Sequence, residues 1–239
     1  IKMKEDQISL TAIMCAYLRA FHAMNDYPKI FDDFLAYHII PEERRELIEQ
    51  GFANAAPLDD AEKTADRVVA LKNLMQVMGL PNILSRSRYT EDNLEKAIRQ
   101  GVDQYVILGA GMDTFAFRRP EKLAALKVFE IDHPAMQAFK RSRLAELGWE
   151  EPEHLSFVPL NFAKDSLPAA LEHTPYNPQS KSFFSWLGVT MYLTRDEVFA
   201  TLRSIADIAC AGSSVVFDYF HNDAFIPSQV DPHEYEMRK

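Results

Sequence analysis

An apolar run ending in a glycine turn, followed by a second apolar run ending in an acid, constrains this chain more than any other feature. The first is Gln104-Tyr-Val-Ile-Leu-Gly-Ala-Gly-Met-Asp-Thr-Phe115. Tyr105 to Leu108 is aromatic and branched, and long enough for a strand buried on both faces. Gly109 and Gly111 then let the chain turn sharply and bring bare backbone against a ligand. The second run, Val128-Phe-Glu-Ile-Asp132, arrives about twenty residues later and closes on a carboxylate. Doubly wound folds hold a nucleoside with such a pair: backbone beneath the sugar, carboxylate on its hydroxyls. Thr114 stands where G-x-G-x-x-G needs its third glycine, so a single nucleoside is expected over a dinucleotide.

The rest of the chain is organised around this unit. Up to about residue 100 the pattern is helical, and 1–100 is expected to be a helical extension of an α/β part spanning 101–239. Leu10, Ile13, Met14, Tyr17, Leu18 and Phe21 form an amphipathic stripe after Ser9. Pro41 opens a charged helix, Glu42 to Gln50, that Gly51 is expected to close. Val68, Leu71, Leu74, Met75 and Met78 make another stripe, ended by Gly79 and Pro81. Thr90 is expected to cap the helix leading to Gly101. Beyond it, strands are expected at 104–108, 127–132, 155–160, 182–188 and 213–219. Helices are expected at 114–125, 134–147, 165–173 and 195–210, the last opened by the capping box Thr194-Arg-Asp-Glu197. Strands alternating with helices specify a doubly wound, mostly parallel sheet of Rossmann-like type.

Composition excludes several classes. Lys and Arg total 26 against 35 Asp and Glu, a net charge of −9, which argues against a nucleic-acid footprint. No apolar run approaches the length of a membrane span. With 47% apolar residues, 239 positions suffice for a large core. Cys15 and Cys210 both sit in helical-looking apolar patterns, so buried thiols in a reducing, cytoplasmic setting are expected. The seven histidines show no metal-ligand spacing, and no metal is assigned.

Three strings carry a family resemblance: Leu108-Gly-Ala-Gly-Met-Asp-Thr114, Phe129-Glu-Ile-Asp-His-Pro134 and Phe184-Ser-Trp-Leu-Gly-Val-Thr-Met-Tyr-Leu193. With Arg86-Ser-Arg88, Lys140-Arg-Ser-Arg-Leu144 and Val215-Val-Phe-Asp-Tyr219, the chain resembles the leucine carboxyl methyltransferase-like group of S-adenosyl-L-methionine-dependent O-methyltransferases. Its bacterial branch, which includes polyketide-associated enzymes, is the nearer match. The resemblance implies a class I methyltransferase sheet and S-adenosyl-L-methionine as cofactor. It implies that Gly109, Ala110 and Gly111 lie under the methionine and ribose portions and that Asp132 accepts both ribose hydroxyls. Arg86 would pair with the cofactor's carboxylate, Asn161 and Phe162 would contact adenine, and Leu187-Gly188 would line the sulfonium side. Many relatives carry an acid at the place of Asn161, and the eukaryotic enzymes have Glu where Leu187 stands. The acceptor implied is a carboxylate or hydroxyl of a small molecule, and no catalytic acid or base is named. A nicotinamide-dependent oxidoreductase would share Gly109, Gly111 and Asp132, but the third glycine and a Tyr-x-x-x-Lys pair are absent. A non-catalytic cofactor-binding module is the remaining alternative.

Other residues have structural readings. Glu130 is expected to be a satisfied structural acid, Asp113 a helix cap, and Arg88 either a surface partner of Glu91 or Asp92 or a site residue. Tyr192 is expected in the core, and Phe21, Phe31 and Phe34 in helix packing. A class I sheet continues past its fifth strand, yet Asn222 to Lys239 is polar, carries Pro227 and Pro232, and holds no strand-length apolar run. The expectation is that C-terminal strands are missing from this chain or that a partner, such as a second copy in a homodimer, covers the edge.

Overall fold

The computed structural model describes residues 8–55, 72, 75, 76, 79–162 and 164–221. The expected tail beyond Asn222 therefore lies outside the described residues, as do Val68, Leu71, Leu74 and Met78. Helices α1 (Leu10–Asn25), α2 (Ala36–Ile39), α3 (Glu42–Ala55) and α4 (Leu80–Arg99) lead to β1 (Gln104–Leu108). Then come α5 (Phe115–Arg118), β2 (Lys127–Asp132), α6 (Pro134–Glu146), β3 (Leu155–Pro159), α7 (Leu167–Glu172), β4 (Ser182–Trp186), α8 (Arg195–Ile208) and β5 (Ser214–Phe217).

The sheet has five strands in the order β3-β2-β1-β4-β5, and every neighbouring pair is parallel. Gln104 stands opposite Lys127 on one side and Ser182 on the other. The chain winds outward through β2 and β3, then crosses back to β4, so the order reverses at β1. Parallel strands require both faces to be covered, and successive residues of β1 serve different faces. Tyr105 and Ile107 pack with Leu94 and Ala97 of α4, whereas Val106 and Leu108 pack with Leu167 and Leu171 of α7 and Ile205 of α8. A further core unites α1, α3 and α4 with Met112, Met136 and Leu144 of the α/β part.

Local signals hold in most places and fail where packing outweighs them. Ser9 caps α1 by accepting from Ala12 N at 3.1 Å, and Thr194 and Glu197 form the capping box of α8. Gly51 does not close its helix; α3 runs through it to Ala55. A mid-helix glycine costs only about 1 kcal/mol, and the next residue, Phe52, is buried against Tyr17 with ring centroids 5.9 Å apart. Thr90 caps nothing. It is buried midway along α4, which follows its N-cap Gly79 and has Pro81 in its first turn. The helix expected over 114–125 breaks at Pro120 into α5 and a short 3-10 turn, because proline cannot donate within a helix.

Other expectations are also corrected. Phe21 and Phe31 are buried, but Phe34 is exposed. Tyr192 is not core: it is 41% exposed, and its hydroxyl donates to Thr11 Oγ1 at 3.1 Å. Cys15 and Cys210 are partly exposed, unpaired thiols, and Cys210 lies beyond the end of α8. β5 is shorter than the expected 213–219 because Asp218 leaves the ladder: its carbonyl accepts from Thr190 Oγ1 at 2.5 Å. Among the described residues, β5 is one edge of the sheet and β3 the other.

Candidate functional site

All five strands end on the same edge of the sheet, so parallel pairing alone assembles the candidate residues there. Gly109 follows β1, Asp132 ends β2, Asn161 lies just past β3, Leu187 and Gly188 follow β4, and Asp218 follows β5. In open α/β sheets ligands bind outside these carboxyl ends, where the strand order reverses.

The glycine turn is held from below and from the side. Gly109 N and Ala110 N both donate to Ile131 O, at 2.8 and 3.1 Å. Asp132 accepts from Gly111 N at 2.5 Å and from His133 N at 2.6 Å, one bond on each carboxylate oxygen. Burial raises the Asp132 pKa above the usual carboxylate value, with the two amides pulling the other way. Each carboxylate oxygen can accept more than one hydrogen bond, so capacity for hydroxyl donors remains. The glycines also answer to the protein's own packing. A Cβ on Gly109 would lie 2.3 Å from Val189 Cγ2, and one on Gly111 would lie 3.0 Å from Ala12 Cβ.

A charged network, legible nowhere in the local sequence, fastens the helical part to this turn. Arg19 of α1 donates to Asp33 Oδ2 at 2.8 Å and to Met112 O at 3.0 Å. Buried Asp33 accepts from Thr114 Oγ1 at 2.6 Å. Arg118 pairs with Glu91 of α4. Asp113 is not the expected cap, since Thr114 holds the N-cap position of α5; one residue earlier, Asp113 accepts from Phe115 N at 2.7 Å in a local turn. Lys140 of α6 reaches under the turn to donate to Asp113 O at 2.6 Å and to Glu130 Oε2 at 2.5 Å. Burial pushes the Glu130 carboxyl up to about 7, while Lys140 draws it down. Glu130 is therefore structural but only half satisfied, since its Oε1 has no hydrogen-bond partner among the described residues.

At the other end of the edge, Arg86 and Arg88 part company. Arg88 lies on the exposed face of α4 and pairs with Asp92, its Nε 2.8 and 2.9 Å from the two carboxylate oxygens. Arg86 points inward, its Nη1 donating to Asp218 Oδ2 at 2.7 Å. Asp218 Oδ1 accepts from Gly188 N, also at 2.7 Å. Gly188 has φ +71°, and a Cβ there would come 2.8 Å from Arg86 Nη2, so this strand end is cleared for the guanidinium. Ser85, Arg86, Tyr89, Leu187, Val216, Phe217 and Asp218 line a cleft of about 310 Å³. Sequence reasoning gave Asp218 no role. The signal existed: like Asp132, it is an acid directly after an apolar strand.

The remaining candidates fall on the same edge. Leu160 N donates to Asp132 O at 2.8 Å, which sets Asn161 beside the end of β2. Phe162 packs half-buried against the core of the α7–α8 face. Ala110 is buried within the glycine turn, and Leu187 walls the cleft. Among the described residues, no three His, Cys, Asp or Glu side chains gather as a metal site. No helix of theirs is long and apolar enough to cross a membrane.

Known proteins resemble this chain along most of its length. The profile of the leucine carboxyl methyltransferase family matches residues 12–206. Bacillus subtilis YktD, named as an S-adenosyl-L-methionine-dependent methyltransferase, is 38% identical over 230 residues, covering 93% of this chain and 74% of YktD. A Mycobacterium tuberculosis protein of the same designation is 29% identical over 208 residues, and there the match covers 87% of this chain but only 63% of the relative. The apo structure of the methyltransferase SibL aligns with 95% of this chain and 79% of its own at 12% identity, with a TM-score of 0.42, too distant a likeness to argue from. The match over residues 12–206 is decisive: the chain belongs to the leucine carboxyl methyltransferase family of S-adenosylmethionine-dependent methyltransferases.

Proposed function

We propose that this chain transfers the methyl group of S-adenosylmethionine to an oxygen of a small molecule, a carboxylate or a hydroxyl. The observation that carries the reading is the sequence of groups along one sheet edge. Asn161 and Phe162 stand after β3, Asp132 at β2, the glycine turn at β1, Leu187 at β4 and the Arg86–Asp218 pair at β4 and β5. That order runs from adenine through ribose to amino acid. A core joining α1, α3 and α4 to Met112 and Met136 supports treating 1–100 and 101–239 as one working unit.

When bound, the cofactor supplies a methyl group already activated by its sulfonium. The chain's task is then alignment, worth on the order of 7–11 kcal/mol in the best intramolecular models. Arg86 offers the planar fork suited to a carboxylate, and Asp132 offers acceptors to the ribose. A carboxylate acceptor is ionised at neutral pH and needs no base. The one carboxylate lining the cleft, Asp218, is engaged with Arg86 and Gly188, which favours an acceptor that arrives ionised.

Calorimetric titration with S-adenosylhomocysteine and with NAD tests the reading. Binding of the first alone is expected, and binding of NAD alone would replace it with an oxidoreductase. Methyl-labelled cofactor offered with carboxylic and hydroxylated small molecules then tests the acceptor, and label on nitrogen or carbon only would refute oxygen transfer.

Asp132→Asn should weaken S-adenosylhomocysteine by about 1.5–3 kcal/mol, the range for hydrogen bonds to a charged group. Unchanged affinity in the titration would remove Asp132 from the ribose. Arg86→Ala should cost far more affinity than Arg88→Ala, whose exposed pair with Asp92 is worth only about 0.3–0.5 kcal/mol of stability. The reverse ranking would mean that the anchor is Arg88.

A further inference from the structure

Asp218 is more than a support for Arg86. Resting on the cofactor reading above, we propose that the two side chains form a clamp for a zwitterion, Asp218 taking the cofactor's α-ammonium while Arg86 takes its carboxylate. Each is mostly buried yet opens onto the same cleft, with side-chain exposures of 16% for Arg86 and 20% for Asp218. Their contact at 2.7 Å sets opposite charges side by side, as the carboxylate and ammonium of an α-amino acid are.

Both partners keep capacity for a ligand. A carboxylate has about four acceptor sites, and Asp218 uses one for Arg86 Nη1 and one for Gly188 N. The guanidinium has five donors. Nη1 meets Asp218, and among the described residues Nη2 meets only the Cys15 sulfur, at 3.6 Å. The acid is also fixed in place. Thr190 Oγ1 grips its carbonyl, and Gly188 gives up a side chain so that the fork can approach. Leu187 offers no acceptor through its side chain, so the carboxylate at this end of the edge comes from the neighbouring strand. From β2 to β5 is three strand spacings, about 14 Å. The extended ribose-to-ammonium part of the cofactor fills such a span with a hydrogen bond at each end.

The test compares wild type with Asp218→Asn by calorimetry against S-adenosylhomocysteine, its deaminated analogue and 5′-methylthioadenosine. The deaminated analogue keeps the carboxylate without the ammonium, and methylthioadenosine lacks both. Asp218→Asn is expected to weaken S-adenosylhomocysteine about 10- to 100-fold. The other two should bind both proteins equally, methylthioadenosine thereby reporting that the variant is folded. Wild type must itself prefer S-adenosylhomocysteine to the deaminated analogue by a similar factor. Equal loss for S-adenosylhomocysteine and the deaminated analogue would overturn the proposal, leaving Asp218 a positioning residue for Arg86. Loss for all three would make it structural, and no loss would make it idle. Those outcomes leave the cofactor reading standing. A wild type that binds none of the three ligands would overturn both.

Discussion

Lys140→Met is expected to destabilise the fold by about 3–5 kcal/mol above neutral pH, the cost of leaving one partner of a buried ion pair behind. Lys140 and Glu130 are both 1% exposed and meet only through Lys140 Nζ and Glu130 Oε2. Methionine keeps most of the volume of lysine, so little of the loss comes from a cavity. The pH dependence identifies the cause. Burial holds the folded Glu130 pKa at about 7, above the ordinary carboxylate value of 4.5, with Lys140 opposing the rise. For an acid raised on folding, the folded state binds the proton more tightly, so stability is lost as pH climbs from the unfolded value through the folded one. Removing Lys140 drives the folded value higher still. Below about pH 6, Glu130 is protonated in both folded proteins, and the variant loses only the hydrogen bonds of Lys140. Above pH 7 the variant alone must either keep a proton or bury a bare carboxylate. Urea unfolding at pH 6 and pH 8.5 should therefore show the larger penalty at pH 8.5. Equal penalties would mean that the pair is not ionised. Glu130→Gln added to Lys140→Met should recover stability at the higher pH.

Gly109→Ala should cost about 2–5 kcal/mol, combining roughly 1–2 kcal/mol for an alanine in left-handed backbone with about 1–3 kcal/mol for overpacking. The backbone there has φ +74°, and the new methyl would meet Val189 Cγ2 at 2.3 Å. Val189→Ala in the same chain should relieve the clash but not the backbone cost, so the double variant should regain part of the loss. Full recovery, or a single variant within 0.5 kcal/mol of wild type by thermal unfolding, would mean that the turn is not held in this conformation. The same substitution is expected to abolish cofactor binding, which separates it from a purely structural core change such as Ile13→Val.

The difference between these variants follows how the site is written in the chain. Gly109, Gly111 and Asp132 stand beside the strands that present them, so an apolar run and its terminal residue suffice to reveal them. Lys140 lies in a string that resembles its relatives, yet nothing adjacent to it names Glu130 as its partner. Arg86 and Asp218 are 132 positions apart. Arg19 and Asp33 meet the glycine turn across a comparable gap. Long-range charge pairs of this kind leave no periodicity and no local spacing to read. The same limit explains Gly51 and Thr90, which both carry a strong local preference: at Thr90 a buried face runs through from Ile83 and Leu84 to Leu94 and Ala97, and at Gly51 the next residue, Phe52, is buried against Tyr17.

By itself the sequence determined the alternation of strand and helix, the near-exact strand bounds at Gln104–Leu108 and Lys127–Asp132, and the gathering of Gly109 and Asp132 on one edge. These follow from side-chain periodicity and from the rule that parallel strands share a direction. Tertiary structure decided the order β3-β2-β1-β4-β5, the pairing of Arg86 with Asp218 and the burial of Glu130 against Lys140. Hydrogen-bond partners and desolvated charges are properties of neighbours in space, and only packing makes residues from distant segments neighbours.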